Sequence, residues 1–189
     1  IDGTVNSVSG SGLVFNGSGT QLLGRSTGGS SNIGIMTIDN SDGINIADKA
    51  YSFYITNKLR LQNGVFNIGG SLLELGIDAT IDEVTAFSTS NMIQTNSSIN
   101  DNGVKKNFSA QYGLNGGNSN FVFPVGQLKY TPVTFDFTSD NTYNTGTNAG
   151  SITIRPVNEY HPTIDDGTDF FGTGDLNNVL QYYWIIRAE

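Results

Sequence analysis

The chain has 189 residues, 9 Lys+Arg against 17 Asp+Glu for a formal net charge of −8, and no cysteine. So acidic a chain repels phosphate backbones and anionic lipid heads, which argues against nucleic-acid and membrane-surface partners. The missing thiols exclude a disulfide scaffold, a thiolate metal site and a cysteine nucleophile. Only 14% of residues are charged and 24 are glycine, so the wet surfaces must be built from Asn, Thr, Ser and Gly, the residues of turns and strand faces. The expectation is an all-β fold.

Short alternating apolar pairs run through the first half: Leu13-x-Phe15, Met36-x-Ile38, Ile44-x-Ile46, Phe53-x-Ile55, Leu59-x-Leu61, Phe66-x-Ile68 and Leu73-x-Leu75. Period-two alternation over three to five residues is a short strand burying one face. Asn16-Gly17, Asp42-Gly43, Asn63-Gly64 and Gly69-Gly70 punctuate the pairs as turns. The spacing repeats: 21 residues from Phe15 to Met36, 22 from Ile44 to Phe66, 20 from Phe53 to Leu73, and 20 from Leu61 to Ile81. Three strands per interval of about 21 residues describe a three-sided coil, each turn stacked about 4.8 Å above the last. The stretch from Leu13 to Ile99 has room for about four or five such turns. An antiparallel meander or jelly-roll would carry similar alternation with Asn-Gly and Asp-Gly turns.

Past Asp82 the pattern loosens, and longer strands follow: Val104 to Phe108, Phe121 to Phe123, Tyr130 to Phe137, Ser151 to Val157, and Val179 to Arg187. Their irregular spacing fits an antiparallel sandwich. The fold expected is therefore a short parallel β-solenoid (β-helix) over residues 1–103, followed by an antiparallel β-sandwich-like module over 104–189. The chain starts at Ile1 and stops just after the apolar run Val179 to Ile186. The expectation is an excised piece of a longer precursor whose sheet is completed elsewhere.

The segments Val14 to Gln21, Met36 to Asn40 and Leu59 to Ile68 resemble the surface-exposed repeat proteins of Bacteroidetes-type bacteria, many of them type IX secretion substrates. Phe121-Val122-Phe123-Pro124-Val125-Gly126, Lys129-Tyr130-Thr131-Pro132-Val133, Ile154-Arg155-Pro156-Val157 and Tyr182 to Ile186 look like the module that commonly follows such repeats. The resemblance implies a structural, adhesin-like segment of a large extracellular or cell-surface bacterial protein, without catalysis. Its partners would be an extracellular polysaccharide, another surface protein, or other domains of the same long chain. The alternative is a carbohydrate-binding or polysaccharide-processing β-helix module.

Few residues invite chemistry. His161 is the sole histidine, which leaves no His pair for a metal. Asp165, Asp166, Asp169 and Asp175 crowd one Gly-rich loop and are the candidate Ca²⁺ ligands, since calcium takes six to eight oxygens; a solvated acidic loop is the competing reading. No other cofactor is expected. Asp39, Asp42, Lys58, Arg60 and Glu74 show no evident clustering into a polysaccharide-cleaving face. Exposed aromatic rings stack on the apolar faces of sugars, and alternation turns Tyr54 outward and sets Tyr182 and Trp184 opposite Tyr183. Tyr54 and Trp184 are thus the candidate carbohydrate contacts, against the plainer reading of a half-buried sheet face. Three Asn-x-Ser matches, at Asn16, Asn96 and Asn107, are what an Asn- and Ser-rich chain produces by chance.

Overall fold

A computed structural model describes residues 12–24, 30–47, 52–109, 112, 120–137, 150–162 and 180–189. These contain fifteen strands: β1 Gly12–Phe15, β2 Gln21–Leu23, β3 Ser30–Asp39, β4 Ile44–Ile46, β5 Ser52–Asn63, β6 Phe66–Gly69, β7 Leu72–Leu75, β8 Thr80–Glu83, β9 Ile93–Thr95, β10 Gly103–Phe108, β11 Asn120–Phe123, β12 Val125–Gly126, β13 Val133–Asp136, β14 Gly150–Val157 and β15 Tyr183–Ala188. No helix among the described residues is long and apolar enough to cross a membrane.

The pairings sort into three parallel lanes. In the first, Leu13, Met36, Leu59 and Ile81 stand opposite one another on β1, β3, β5 and β8. The second joins β2, β4, β6, β9 and β12 through Gln21, Ile44, Phe66, Ile93 and Val125. The third takes the opening halves of β3 and β5 and then β7 and β10, aligning Ile33, Ile55, Leu75 and Lys106. Three lanes make the three-sided parallel β-solenoid expected from the spacing. From β1 to β8 it completes about three turns rather than four or five. Its later coils are longer: second-lane partners are 22 residues apart between Ile44 and Phe66, but 27 between Phe66 and Ile93 and 32 between Ile93 and Val125.

The register corrects two of the four spacings. Ile44 faces Phe66 and Phe53 faces Leu73, at the expected separations. Phe15, however, faces Ile38 rather than Met36, and Leu61 faces Glu83, with Ile81 opposite Leu59. Irregularities between Ile33 and Ile35, and between Ile38 and Asp39, place extra residues on β5. Both differences are slips of two, so every side chain keeps its face. Met36, Ile38, Leu59 and Leu61 are fully buried, and each such side chain stabilises by roughly 1.5–3 kcal/mol.

A buried amide stitches the corner between the first and second lanes. Asn40, 1% exposed, donates from Nδ2 to Gly19 O (2.9 Å) and Gln21 Oε1 (3.0 Å) of the preceding coil. Its Oδ1 accepts from Asp42 N (3.0 Å), and its own N–H reaches Asn63 O (2.8 Å) one coil on. Gly64 makes the close approach practicable. Its φ is +101°, and a Cβ there would lie 1.8 Å from Asn40 O.

The antiparallel elements grow out of the same sheet. β10 pairs parallel with β7 along one edge and antiparallel with β14 along the other, and β15 pairs antiparallel with β14. The strand order is β1-β3-β5-β7-β10-β14-β15. The hairpin β11–β13 adds Phe121, Phe123 and Phe135 to Phe108 of β10. Edge-on ring contacts of 4.9–5.8 Å join these rings, the geometry favoured by aromatic quadrupoles.

Candidate functional site

Among the described residues, two concavities bring aromatic and polar side chains together. The first is a cleft of about 370 Å³ lined by Gln127, Leu128, Lys129, Thr131, Asn158, Leu180, Gln181, Tyr182 and Trp184. β15 supplies Trp184, placed opposite Pro156 of β14, and Tyr182 precedes the strand by one residue. Thr131 anchors both rings. Its carbonyl accepts from Trp184 Nε1 at 3.1 Å, and its hydroxyl shares a short hydrogen bond with the Tyr182 hydroxyl. The rings meet at 5.6 Å and 75°. Burial pushes the Tyr182 hydroxyl above its usual pKa, partly offset by hydrogen bonds with Thr131 and Ser97, so it stays protonated through the neutral range.

The second concavity, of about 410 Å³, lies between the 77–87 segment and β11, with Asp78, Thr80, Glu83, Ser109, Tyr112 and Phe121 in its wall. Lys106 reaches it from the core side. The alternation Val104, Lys106, Phe108 points this lysine inward in phase with apolar neighbours, and it is 1% exposed. Its Nζ donates to Gly76 O at 2.6 Å and Ile77 O at 2.7 Å, with the rings of Phe108 and Phe121 each 5.5 Å away. Backbone dipoles and ring faces thus hold the cation where no carboxylate lies within ion-pair reach among the described residues. Burial lowers its pKa to about 8, against a smaller opposing pull from Asp78.

The other candidates are dispersed. Tyr54 is half-buried on the outward side of β5 and lines a different, shallower cleft with Lys105, Asn107 and Glu189, so it does not join Trp184. Tyr183 turns away from Tyr182 and Trp184 toward His161, ring to ring at 5.0 Å. Lys58 and Arg60, unclustered by sequence spacing, meet on Asp82 at 3.0 and 3.9 Å because β5 and β8 pair in register. Such exposed pairs are worth about 0–1 kcal/mol. Asp165, Asp166, Asp169 and Asp175 lie outside the described residues. Among those described, no three His, Asp or Glu side chains converge as metal ligands.

Sequence reading missed Lys106 and Thr131. The first was signalled by its phase with Val104 and Phe108; Thr131 had no local signal, because its partners are 51 and 53 residues away. Set against protein-family models, curated proteins and solved structures, the chain matches none of them.

Proposed function

We propose that this chain is a structural and adhesive segment of a large extracellular or cell-surface bacterial protein, working without a catalytic step. The observation supporting this is the continuity of the three parallel lanes. Each coil is hydrogen-bonded to the next on every side, and one apolar stack fills the interior. A rod built this way has no single weak joint, because each rung shares its main-chain bonds with two neighbours. Its outer rows are polar, as in Asn45, Asn67 and Gln94 along the second lane. The net charge of −8 keeps copies apart in solution.

Limited proteolysis checks the rod. Thermolysin is expected to leave an intact fragment containing β3 to β10, and rapid cleavage within β5 would overturn the structural role. Protease treatment of intact producing cells checks location, with release of the segment expected and full protection counting against exposure at the surface.

A second reading, a carbohydrate-binding module, is favoured by one specific observation, the aromatic cleft at Trp184. Glycan-array binding by the folded chain is its expected signature, and a blank array would remove it.

A further inference from the structure

We propose that the Trp184 cleft seats a neutral pyranose ring of a polysaccharide; this rests on the carbohydrate-binding reading and names the class of sugar. Nine large apolar side chains are exposed among the described residues, and three of them, Leu128, Leu180 and Trp184, line this one cleft. Single exposed apolar residues need no explanation, whereas their convergence in a concavity marks a binding surface.

The platform is set before any ligand arrives. An indole has one polar group, and that N–H is already committed to Thr131 O. The exposed remainder of Trp184 is ring carbon, suited to the C–H face of a sugar and unsuited to a hydrogen-bonding ligand. Tyr182 is fixed through the hydroxyl of the same threonine, so Thr131 is a positioning residue for both rings. Holding the rings in place lowers the ordering cost of binding.

Around the platform stand three side-chain amides, Gln127, Gln181 and Asn158. Asn158 Nδ2 donates to Gln127 Oε1 at 3.2 Å, which leaves N–H donors on both amides and further acceptor capacity. Amides offer both donor and acceptor, which is what sugar hydroxyls require. Among the described residues no carboxylate lines the cleft, so none of them pairs with an amino sugar there. Lys129 is the single cation of the lining among the described residues, on a chain of net charge −8. A uronate strand, with one negative charge per residue, meets that overall repulsion at every ring. The neutral ring is the occupant that fits.

Trp184 is the only tryptophan, so its fluorescence reports the cleft directly. The intact chain would be titrated with cellohexaose, laminarihexaose, mannohexaose and xylohexaose, and with oligogalacturonate and oligomannuronate as acidic counterparts. The expected result is a saturable emission shift with at least one neutral oligosaccharide. By calorimetry, binding should fall about tenfold or more in Trp184→Ala, more mildly in Trp184→Phe, and not at all in Tyr54→Ala. Thr131→Val, which keeps the carbonyl and loses the hydroxyl, should weaken binding while the melting temperature of the rod holds. A preference for the acidic oligomers that depends on Trp184 would overturn the neutral assignment and leave the carbohydrate reading standing. Binding unaffected by Trp184→Ala would move the site elsewhere and overturn the proposal. If no oligosaccharide of either kind binds, both this assignment and the carbohydrate reading fall.

Discussion

The Lys106 ammonium donates to the carbonyl oxygen of Gly76 at 2.6 Å from a position that is 1% exposed. In the unfolded chain that amine holds its proton up to its ordinary pKa of 10.5, and in the fold it releases it near 8. Between those values the unfolded state binds more protons, so stability rises with pH. At about 1.4 kcal/mol per unit, the full window amounts to on the order of 3 kcal/mol. Urea unfolding from about pH 7.5 to about pH 9.5 should show wild type gaining stability relative to Lys106→Met, which has no proton to lose. Parallel curves for the two proteins would refute the assignment. Above pH 10 the sign reverses, because Tyr112, Tyr130 and Tyr182 are all raised by burial; there the unfolded state ionises first and stability falls.

Two glycines with positive φ should respond very differently to alanine. Gly19, at +86°, has nothing within 4 Å of an added Cβ, so Gly19→Ala should cost only backbone strain of about 1–2 kcal/mol. Gly64→Ala adds the same strain and drives a methyl into Asn40 O. The second variant is expected to lower the thermal midpoint several times more than the first, or to be recovered unfolded.

Leu59 is fully buried between Met36 and Ile81 in the first lane. Truncation to alanine leaves a cavity that both neighbouring coils share, and about 2–5 kcal/mol of stability should be lost. The adjacent Arg60→Ala removes a long exposed contact to Asp82 and should change stability by about 1 kcal/mol or less. Chemical denaturation of the pair checks which face of β5 carries the rod.

Replacing Asn40 with leucine should be costlier than its small size implies. The side chain serves Gly19, Gln21 and Asp42 together. Leucine would remove all three bonds from partners that are exposed or half-buried, at about 0.5–1.5 kcal/mol for each lost bond. Hydrogen exchange should then accelerate first at Gly19 to Gln21 and at Gly43, whose N–H also bonds Asn40 O. Uniform exchange across all lanes would show that the corner is not a local joint.

The lanes were legible in the sequence because a coil that stacks on itself must repeat its inward residues. The Ile44–Phe66 and Phe53–Leu73 alignments could be read from spacing alone. The Phe15 and Leu61 partners could not, since a slip of two along a strand keeps the same face and leaves the alternation untouched. Sequence spacing reveals which face a side chain takes far better than which neighbour it meets. Trp184 stood out as an aromatic on an alternating strand. The cleft itself did not, because Gln127 to Thr131, Asn158 and Leu180 to Trp184 come together only through the antiparallel strands. Lys106 was hidden for a different reason: composition habits assign lysine to water, although its phase with Val104 and Phe108 says otherwise.

The reversal of direction at β10 and β14 also sets how such a rod can vary in length. A parallel lane accepts another parallel rung anywhere along its run, whereas an antiparallel strand closes the series. An extra coil of 22 to 24 residues, the interval that separates β3 from β5, spliced ahead of β7 would lengthen the parallel stack by about 4.8 Å. The antiparallel strands β14 and β15 would be carried outward with their own pairings unchanged.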